Sequence, residues 1–575
     1  MRFSRFVPLL TTVSLAGAAA AALVSCGSSG GGAGDALRGV LCGSGHVKGV
    51  MTAGVNLDLL ATLTAPGGGS ATTDKGLQSL LNSALGKVVD TKLLNVASVT
   101  SAVPGDSVRF LKLGGTYGTG FGVATSLIAS AAKKSPSLKG VFKFLYEGYQ
   151  VAATRTFDES AMSGFRAVSS PFGPMGGGVD GGFFAQTAAS PEKRQWALEQ
   201  TDYAGALKVF SNTTREVRVA VLDTGVDKDH PDLKDVLEQG YNAVDGSSRT
   251  DDDNGHGTHC AGVIAAQAKG SGAPLGVAAR ANVKIIPVKV LGGDGSGSSD
   301  AIEKGIRWAV KVAKADVISL SLGGGLEYTD AKREGGLDNA IIDDAIASGT
   351  IVVVAAGNES CPLGGKCEQP GILTSRKFNE YTVVPCAYKG TVCVGATDPD
   401  EKLASYSNYS SQKSASYRTR ADVNAPGTKI YSTWPLDKGG PYKAISGTSM
   451  ATPYVAGVAA LLKANAKDPK DVNQEFVRSY LNKGLVYQSD VKNKTGTGRV
   501  DLYGTAYAFS KEYLQDPRTD LKSPPTAPNG VTTPDLPDAE GGGGLGAVGT
   551  VWDLLCAVSG KTVETESESQ PLEVD

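Results

Sequence analysis

Residues 191–510 predict a doubly wound α/β fold, a mostly parallel sheet with helices on both faces. Two observations carry this expectation. The runs 217–222, 282–291, 316–323 and 350–358 are apolar and rich in β-branched residues throughout, as strands covered on both faces are. Helical segments alternate with them: 299–315, with Ile302, Ile306, Ala309, Val310 and Ala313 at helical spacing, and 337–348.

The flanks of the 575-residue chain read differently from this middle. Arg2 and Arg5 precede an apolar run over 6–24, which is the pattern of an export signal over residues 1–25. The run ends Leu23-Val24-Ser25-Cys26 and resembles the lipobox of bacterial lipoproteins, in which Cys26 would be acylated. An ordinary cleaved signal, with Cys26 a stray thiol, is the alternative. Residues 26–34 form a Gly/Ser tether. Residues 35–190 carry no chemical motif; a strand over 148–153 and a helix over 158–167 are expected there. Residues 511–575 are a Pro-rich linker, a glycine run and an acidic tail.

Charge excludes one class of function. Lys and Arg total 56 against 58 Asp and Glu, so no basic face is expected to grip nucleic acid. Eight cysteines suit an oxidising compartment. Cys361, Cys367, Cys386 and Cys393 crowd together and can form two bridges in any of three connectivities. Cys42 and Cys556 remain as a long-range pair. Zinc competes for the four clustered thiols, although their spacing lacks paired C-x-x-C knuckles.

Only four histidines are available to any imidazole chemistry: His46, His230, His256 and His259. Three segments place reactive groups where such a sheet presents them. Asp223 ends the run Val219-Ala220-Val221-Leu222 and precedes Thr224-Gly225, at a strand's carboxyl edge. His256, in Asn254-Gly255-His256-Gly257-Thr258-His259-Cys260-Ala261-Gly262, opens an Ala-rich helix. Ser449, in Ser446-Gly447-Thr448-Ser449-Met450-Ala451-Thr452-Pro453, opens another, with Pro453 tolerated in the first turn. A serine hydroxyl needs an adjacent base, and an imidazole needs a carboxylate to fix its tautomer. The helix start at Ser449, with Asn358 in Ala355-Ala356-Gly357-Asn358, supplies donors for a developing oxyanion.

Asp-Thr-Gly, His-Gly-Thr-His-x-Ala-Gly and Gly-Thr-Ser-Met-Ala, in that order, resemble the subtilisin family of serine proteases over about 320 residues. The resemblance implies an exported serine endopeptidase of broad specificity, with Asp223, His256 and Ser449 as triad and Asn358 in the oxyanion hole. It implies that a substrate lies as an added strand between Gly295-Ser296-Gly297 and Ser321-Leu322-Gly323. Glu359 follows Asn358 as an acidic residue does in several relatives. Family members carry an N-terminal prosegment, which makes residues 35–190 a prosegment or an accessory region, with maturation near 190–195. Asp232 matches a calcium ligand of many members, but the loop 267–274 offers no partner asparagine and introduces Lys269. Asp251, Asp252 and Asp253 are a second calcium candidate or a solvated acidic turn. The chemistry itself requires no cofactor. His230 and His259 are expected to be structural, and Cys260 to lie near the base without being the nucleophile. The expected partners are peptide or protein chains and, through the lipid, a bacterial envelope membrane; a monomer is expected.

Two rivals follow from the same residues. Leu222-Asp223-Thr224-Gly225 also fits an aspartic protease, but no second Asp-Thr/Ser-Gly exists to complete the dyad. A catalytically idle surface-binding lipoprotein on a protease scaffold is the alternative from another class.

Overall fold

The computed structural model describes the chain between residues 49 and 510, apart from stretches of which 115–127, 159–194, 328–338, 370–375, 411–420 and 487–497 are the longest. The expected signal, Cys26, His46, the Cys42–Cys556 pair and the C-terminal tail lie outside the described residues. No helix among the described residues is long and apolar enough to cross a membrane. The chain forms two compact units, with the boundary between Gly148 and Tyr149.

The first unit holds a four-stranded antiparallel sheet. Its strands are β1 (Gly49–Val55), β2 (Asn95–Thr100), β3 (Val108–Gly114) and β4 (Phe142–Glu147), in the order β2-β3-β1-β4. Helix α1 (Leu57–Ala61) follows β1, and α2 (Asp74–Leu85) buries Leu77, Leu80, Leu81, Ala84 and Leu85 along one face. Thr73 caps α2 by accepting a hydrogen bond from Gly76 N–H at 3.0 Å.

The second unit begins with β5 (Gln150–Ala153) and β6 (Phe157–Asp158), then helices α3 (Trp196–Gln200) and α4 (Tyr203–Val209). Its main body alternates β7 (Val217–Asp223), β8 (Tyr241–Asn242), α5 (His256–Ala265), β9 (Val283–Lys289), β10 (Ser296–Ser298) and α6 (Ser299–Lys311). Next come β11 (Val317–Leu320), β12 (Leu322–Glu327), α7 (Ala340–Ala347), β13 (Ile351–Ala355), β14 (Tyr381–Val384) and β15 (Val392–Thr397). The unit ends with β16 (Val423–Pro426), β17 (Ile430–Thr433), β18 (Tyr442–Ser446), α8 (Thr448–Asn465), α9 (Gln474–Lys483), β19 (Leu485–Val486), β20 (Arg499–Val500) and α10 (Leu502–Ser510).

Nine strands make the large sheet, in the order β19-β20-β16-β15-β13-β11-β7-β9-β8, and only the β19–β20 pairing is antiparallel. The doubly wound expectation holds. Both faces are covered, and the strands show it residue by residue. Val217, Val219, Val221, Val317, Ile351 and Val353 share one core with α5 and α8. On the opposite side Leu222 and Val288 close around Gly305 of α6. That alternation is the period of a strand buried twice.

The chain winds from β7 toward β9 on one side and from β11 toward β15 on the other. Between β7 and β11 the strand order reverses, and open α/β sheets have their ligand crevice at the carboxyl ends of such strands. Asp223 ends β7, Ser321 follows β11, and Asn358 stands three residues beyond β13. The expected single strand 316–323 is two strands. It breaks at Ser321, after which β12 leaves the large sheet and pairs with β5 and β14 in a small one, ordered β10-β5-β12-β14.

Candidate active site

Asp223 is 1% exposed and His256 3%. Asp223 Oδ1 accepts hydrogen bonds from His256 Nδ1 at 2.7 Å and from Thr224 N–H at 2.7 Å. The carboxylate can only accept, so Nδ1 carries the hydrogen and Nε2 is left as the basic nitrogen. Burial pushes the His256 pKa down, but Asp223 and, after it, Cys260 together outweigh it, and the ring sits well above its ordinary value. Nε2 is buried and has no hydrogen-bond partner.

The start of α5 holds that ring in place. Gly255 precedes it at φ 118°, and a Cβ there would collide with the ring of Trp434. Asp252, only 7% exposed, takes five donors: Thr224 Oγ1, Asn254 N–H, Gly255 N–H, Thr258 N–H and Thr258 Oγ1, at 2.6–3.1 Å. Thr224 Oγ1 in turn accepts Gly257 N–H at 3.0 Å. One carboxylate therefore ties the strand end carrying Asp223 to the helix start carrying His256. A solvated acidic turn is not what this residue forms. Asp253 pairs with Lys289 Nζ at 2.6 Å, so the 251–253 cluster offers no open set of oxygens for calcium.

Ser449 opens α8, a helix buried along its whole length and packed against α5. Its Oγ donates to Ser321 O at 3.2 Å, and Ser321 Oγ donates to Ser449 O at 2.8 Å. Cys260 links the two halves of the site: its Sγ lies 3.9 Å from His256 Nδ1 and donates to Ser449 O at 3.5 Å. The hydroxyl thus rests against Ser321 O, leaving His256 Nε2 unpartnered. Asn358 Oδ1 accepts from Thr448 N–H and Thr448 Oγ1, both at 2.8 Å. Two donors on the oxygen fix the flip of the amide, so its nitrogen is the donor end.

The expected rims lie on either side of one strand. β10 pairs antiparallel with β5, as Ser296↔Ala152, Gly297↔Val151 and Ser298↔Gln150. β12 pairs antiparallel with its other edge, as Leu322↔Ala153 and Gly323↔Ala152. Gly295, at φ 77°, turns the chain into β10. The strand expected at 148–153 is therefore β5, and the helix expected over 158–167 lies outside the described residues beyond Asp158, which ends β6.

Other candidates resolve into structural roles. His259 Nε2 lies 3.0 Å from Ile430 O and 3.1 Å from Lys443 O, and burial, with His256 second, pushes its pKa down to about 3. His230 Nε2 lies 2.8 Å from Pro441 O. Asp232, the calcium candidate, has Oδ1 on Lys269 N–H at 2.6 Å and Oδ2 on Tyr442 O–H at 2.7 Å, while Lys269 Nζ pairs with Asp235. An ammonium at the loop and two donors on the carboxylate do not fit a calcium ion at this position. The cysteines pair as Cys361–Cys367 and Cys386–Cys393, one of the three open connectivities, which leaves no thiolates there for zinc.

Sequence reasoning did not find the partners of Glu359. Its Oε2 accepts from Tyr381 O–H at 3.0 Å and Asn408 Nδ2 at 2.6 Å, while Asn408 Oδ1 accepts from the N–H groups of Glu359 and Cys361. Asn408 thereby fixes the chain just beyond Asn358.

Cys260 is buried, and burial raises its thiol pKa. The ligand atoms of Asp223, His256 and Cys260 lie within 4.8 Å of one another. A thiophilic mercurial bound at Cys260 is expected to disable the ring, whereas Cys260→Val should retain activity and lose mercurial sensitivity. Peptide hydrolysis with and without the mercurial checks both; an inactive Cys260→Val would give the thiol a chemical role.

Comparison with known proteins agrees with this geometry. The subtilase family (Peptidase_S8) profile matches residues 214–504. Thermitase of Thermoactinomyces vulgaris is 36% identical over 290 residues, 50% of this chain and 87% of thermitase. Subtilisin DY of Bacillus licheniformis is 39% identical over 246 residues, 43% of this chain and 76% of that protein. Subtilisin E of Bacillus subtilis is 36% identical over 373 residues, 64% and 85% respectively. With that match spanning the sheet, α5 and α8, the chain belongs to the subtilase family of serine-type peptidases.

Proposed function

We propose that the protein is an exported serine endopeptidase of broad specificity that cuts peptide bonds through an acyl-enzyme. The buried Asp223–His256 hydrogen bond, with Nε2 unpartnered and Cys260 Sγ in contact with both His256 Nδ1 and Ser449 O, carries the reading. Rotation of the Ser449 hydroxyl away from Ser321 O would bring its proton to Nε2. Ser449 Oγ then attacks the substrate carbonyl carbon as His256 takes the proton, and Asp223 stabilises the imidazolium. The oxyanion is met by the Asn358 amide and the first N–H groups of α8. Collapse breaks the C–N bond, the amine leaves with the proton from His256, and water repeats the sequence on the ester.

A substrate backbone would be held as β5 is, hydrogen-bonded on both edges by β10 and β12. Backbone pairing reads no side chains, which suits broad specificity. In the domain organisation we propose, 1–25 is the signal, 26–34 a tether from a lipidated Cys26, 35–190 a prosegment, 191–510 the catalytic domain and 511–575 a linker and tail. The separately compact sheet of β1–β4 favours a prosegment for 35–190 over an irregular extension.

A fluorophosphonate probe is expected to label Ser449 and no other residue, as read by peptide mass analysis. Absence of labelling on a folded, processed chain would refute the nucleophile and favour the idle scaffold. Asn358→Ala is expected to lower kcat by roughly 10²–10³-fold with KM little changed, the effect that loss of the oxyanion asparagine has in subtilisin. Steady-state kinetics on a chromogenic peptide separates that outcome from a binding defect, which would raise KM instead.

A further inference from the structure

The turn that carries Asn358 is held from both sides by one buried amide. Asn408, 0% exposed, donates its backbone N–H to Gly357 O at 3.0 Å and its Nδ2 to Ala356 O at 2.9 Å, the two residues before Asn358. Its Oδ1 accepts from Glu359 N–H at 3.2 Å and Cys361 N–H at 2.9 Å, on the far side of Asn358. Nδ2 also donates to Glu359 Oε2 at 2.6 Å, an oxygen that accepts from Tyr381 O–H as well. With two donors on its oxygen and two acceptors on its nitrogen, the side chain is used to capacity and its flip is fixed. Gly357 makes the close approach possible. It lies at φ 97°, and a Cβ there would stand 2.4 Å from Asn408 Nδ2.

Asn408 is itself tied to the large sheet. Ser407 Oγ donates to Asn408 O at 2.9 Å and accepts the Ala396 N–H of β15 at 3.0 Å. Ser360 N–H donates to Tyr406 O at 2.9 Å and Tyr409 N–H to Cys361 O at 3.1 Å, so 406–409 runs beside 357–361. Thr448 holds the oxygen end of the Asn358 amide. Where the nitrogen end points depends also on where the backbone of 356–361 stands, and Asn408 sets that.

We propose, on the basis of the peptidase reading above, that Asn408 is a positioning residue for the oxyanion. Fully buried, it acts without touching substrate, by setting where the Asn358 nitrogen meets the developing charge. A preorganised donor has to lie about 2.7–3.1 Å from the place the oxyanion will take, not from the ground-state carbonyl oxygen. A displacement of about 1 Å is enough to cost roughly 10²-fold in rate. Binding of the ground state loses little by it, so the defect belongs in kcat and not in KM. Glu359 serves the same end, because its carboxylate is the second acceptor on the Asn408 nitrogen.

The test uses the folded, processed chain and a chromogenic peptide. Asn408→Ala is expected to lower kcat by roughly 10–10²-fold, with KM within about threefold of wild type. Made on top of Asn358→Ala, the same change should cost less than about threefold, because the donor it positions is already gone. Asn408→Asp keeps the shape and the acceptor for the Glu359 and Cys361 N–H groups, but it sets two carboxylates against each other. It is expected to lose as much kcat as Asn408→Ala. Adding Glu359→Gln returns a donor to that contact and should recover about tenfold of the loss, while the lost bond to Ala356 O keeps the rescue partial. Should Asn408→Ala not fold, the isosteric Asn408→Asp takes its place in the cycle with Asn358→Ala. A loss that repeats in full in the Asn358→Ala background overturns the proposal. So does a loss carried by KM, or a pair Asn408→Asp with Glu359→Gln no faster than Asn408→Asp alone. An Asn358→Ala variant with wild-type kcat, or a wild type whose Ser449 takes no fluorophosphonate, overturns the peptidase reading instead.

Discussion

Ser449→Ala is expected to lower kcat on a chromogenic peptide by roughly 10⁶-fold, as loss of the nucleophilic serine does in subtilisin. The loss should come without unfolding. Ser449 is fully buried in the first turn of α8, where alanine fits the same space and is the better helix former. The substitution removes the 3.2 Å hydrogen bond to Ser321 O, worth about 1 kcal/mol, and leaves the bond from Ser321 Oγ to the backbone carbonyl of residue 449. Thermal unfolding should therefore stay within a few degrees of wild type while turnover collapses. Residual hydrolysis above the uncatalysed rate is still expected, because Asn358 and the start of α8 would remain. Retention of more than about a hundredth of wild-type kcat would mean that another group attacks the carbonyl, and full retention would return the aspartic reading. Measuring kcat together with the circular dichroism of the same preparation separates a chemical defect from a folding one.

How much of this was legible before the structure depends on how locally each feature is encoded. Asp223, His256 and Ser449 each lie at the junction of an apolar run with a glycine-bearing turn, so a few neighbouring residues place them on the carboxyl edge of a sheet. The strands themselves were legible because both faces are covered and most of their residues are apolar. The break at Ser321 was not, because β11 and β12 form one continuous run and only the pairing partners of β12, distant in sequence, pull it out of the large sheet. Asp252 was misread for a different reason. Three adjacent aspartates look like a solvated turn, yet the middle one collects the N–H groups that the start of α5 leaves unbonded. The spacing of an acid four residues before the helix-opening histidine was the available signal. Asn408 and Tyr381 carried none, since they reach Glu359 across 49 and 22 residues. Asp232 shows the opposite case: the foreign Lys269 was visible in the sequence, but Tyr442, 210 residues away, was not.

Asp223→Asn is expected to lower kcat by roughly 10⁴-fold at neutral pH, the effect of the same change in another Ser-His-Asp protease. The carboxylate accepts from His256 Nδ1, and only that arrangement leaves Nε2 free to take a proton. An asparagine can turn its NH₂ toward Nδ1, which forces the hydrogen onto Nε2 and removes the base. The pH profile supplies a second readout with a definite sign. In the wild type, burial lowers the His256 pKa, but Asp223, with Cys260 second to it, raises it further than burial lowers it. The acid limb of kcat/KM, where the ring must be neutral to act, should therefore fall at a pH above the ordinary histidine value of 6.5. Without the carboxylate, burial lowers a ring that is 3% exposed and only Cys260 still raises it, so the limb should move to lower pH even as the plateau drops. A lowered plateau with an unmoved limb would mean that His256 is not the group that titrates. A full plateau with a shifted limb would mean that Asp223 tunes the ring without fixing its tautomer.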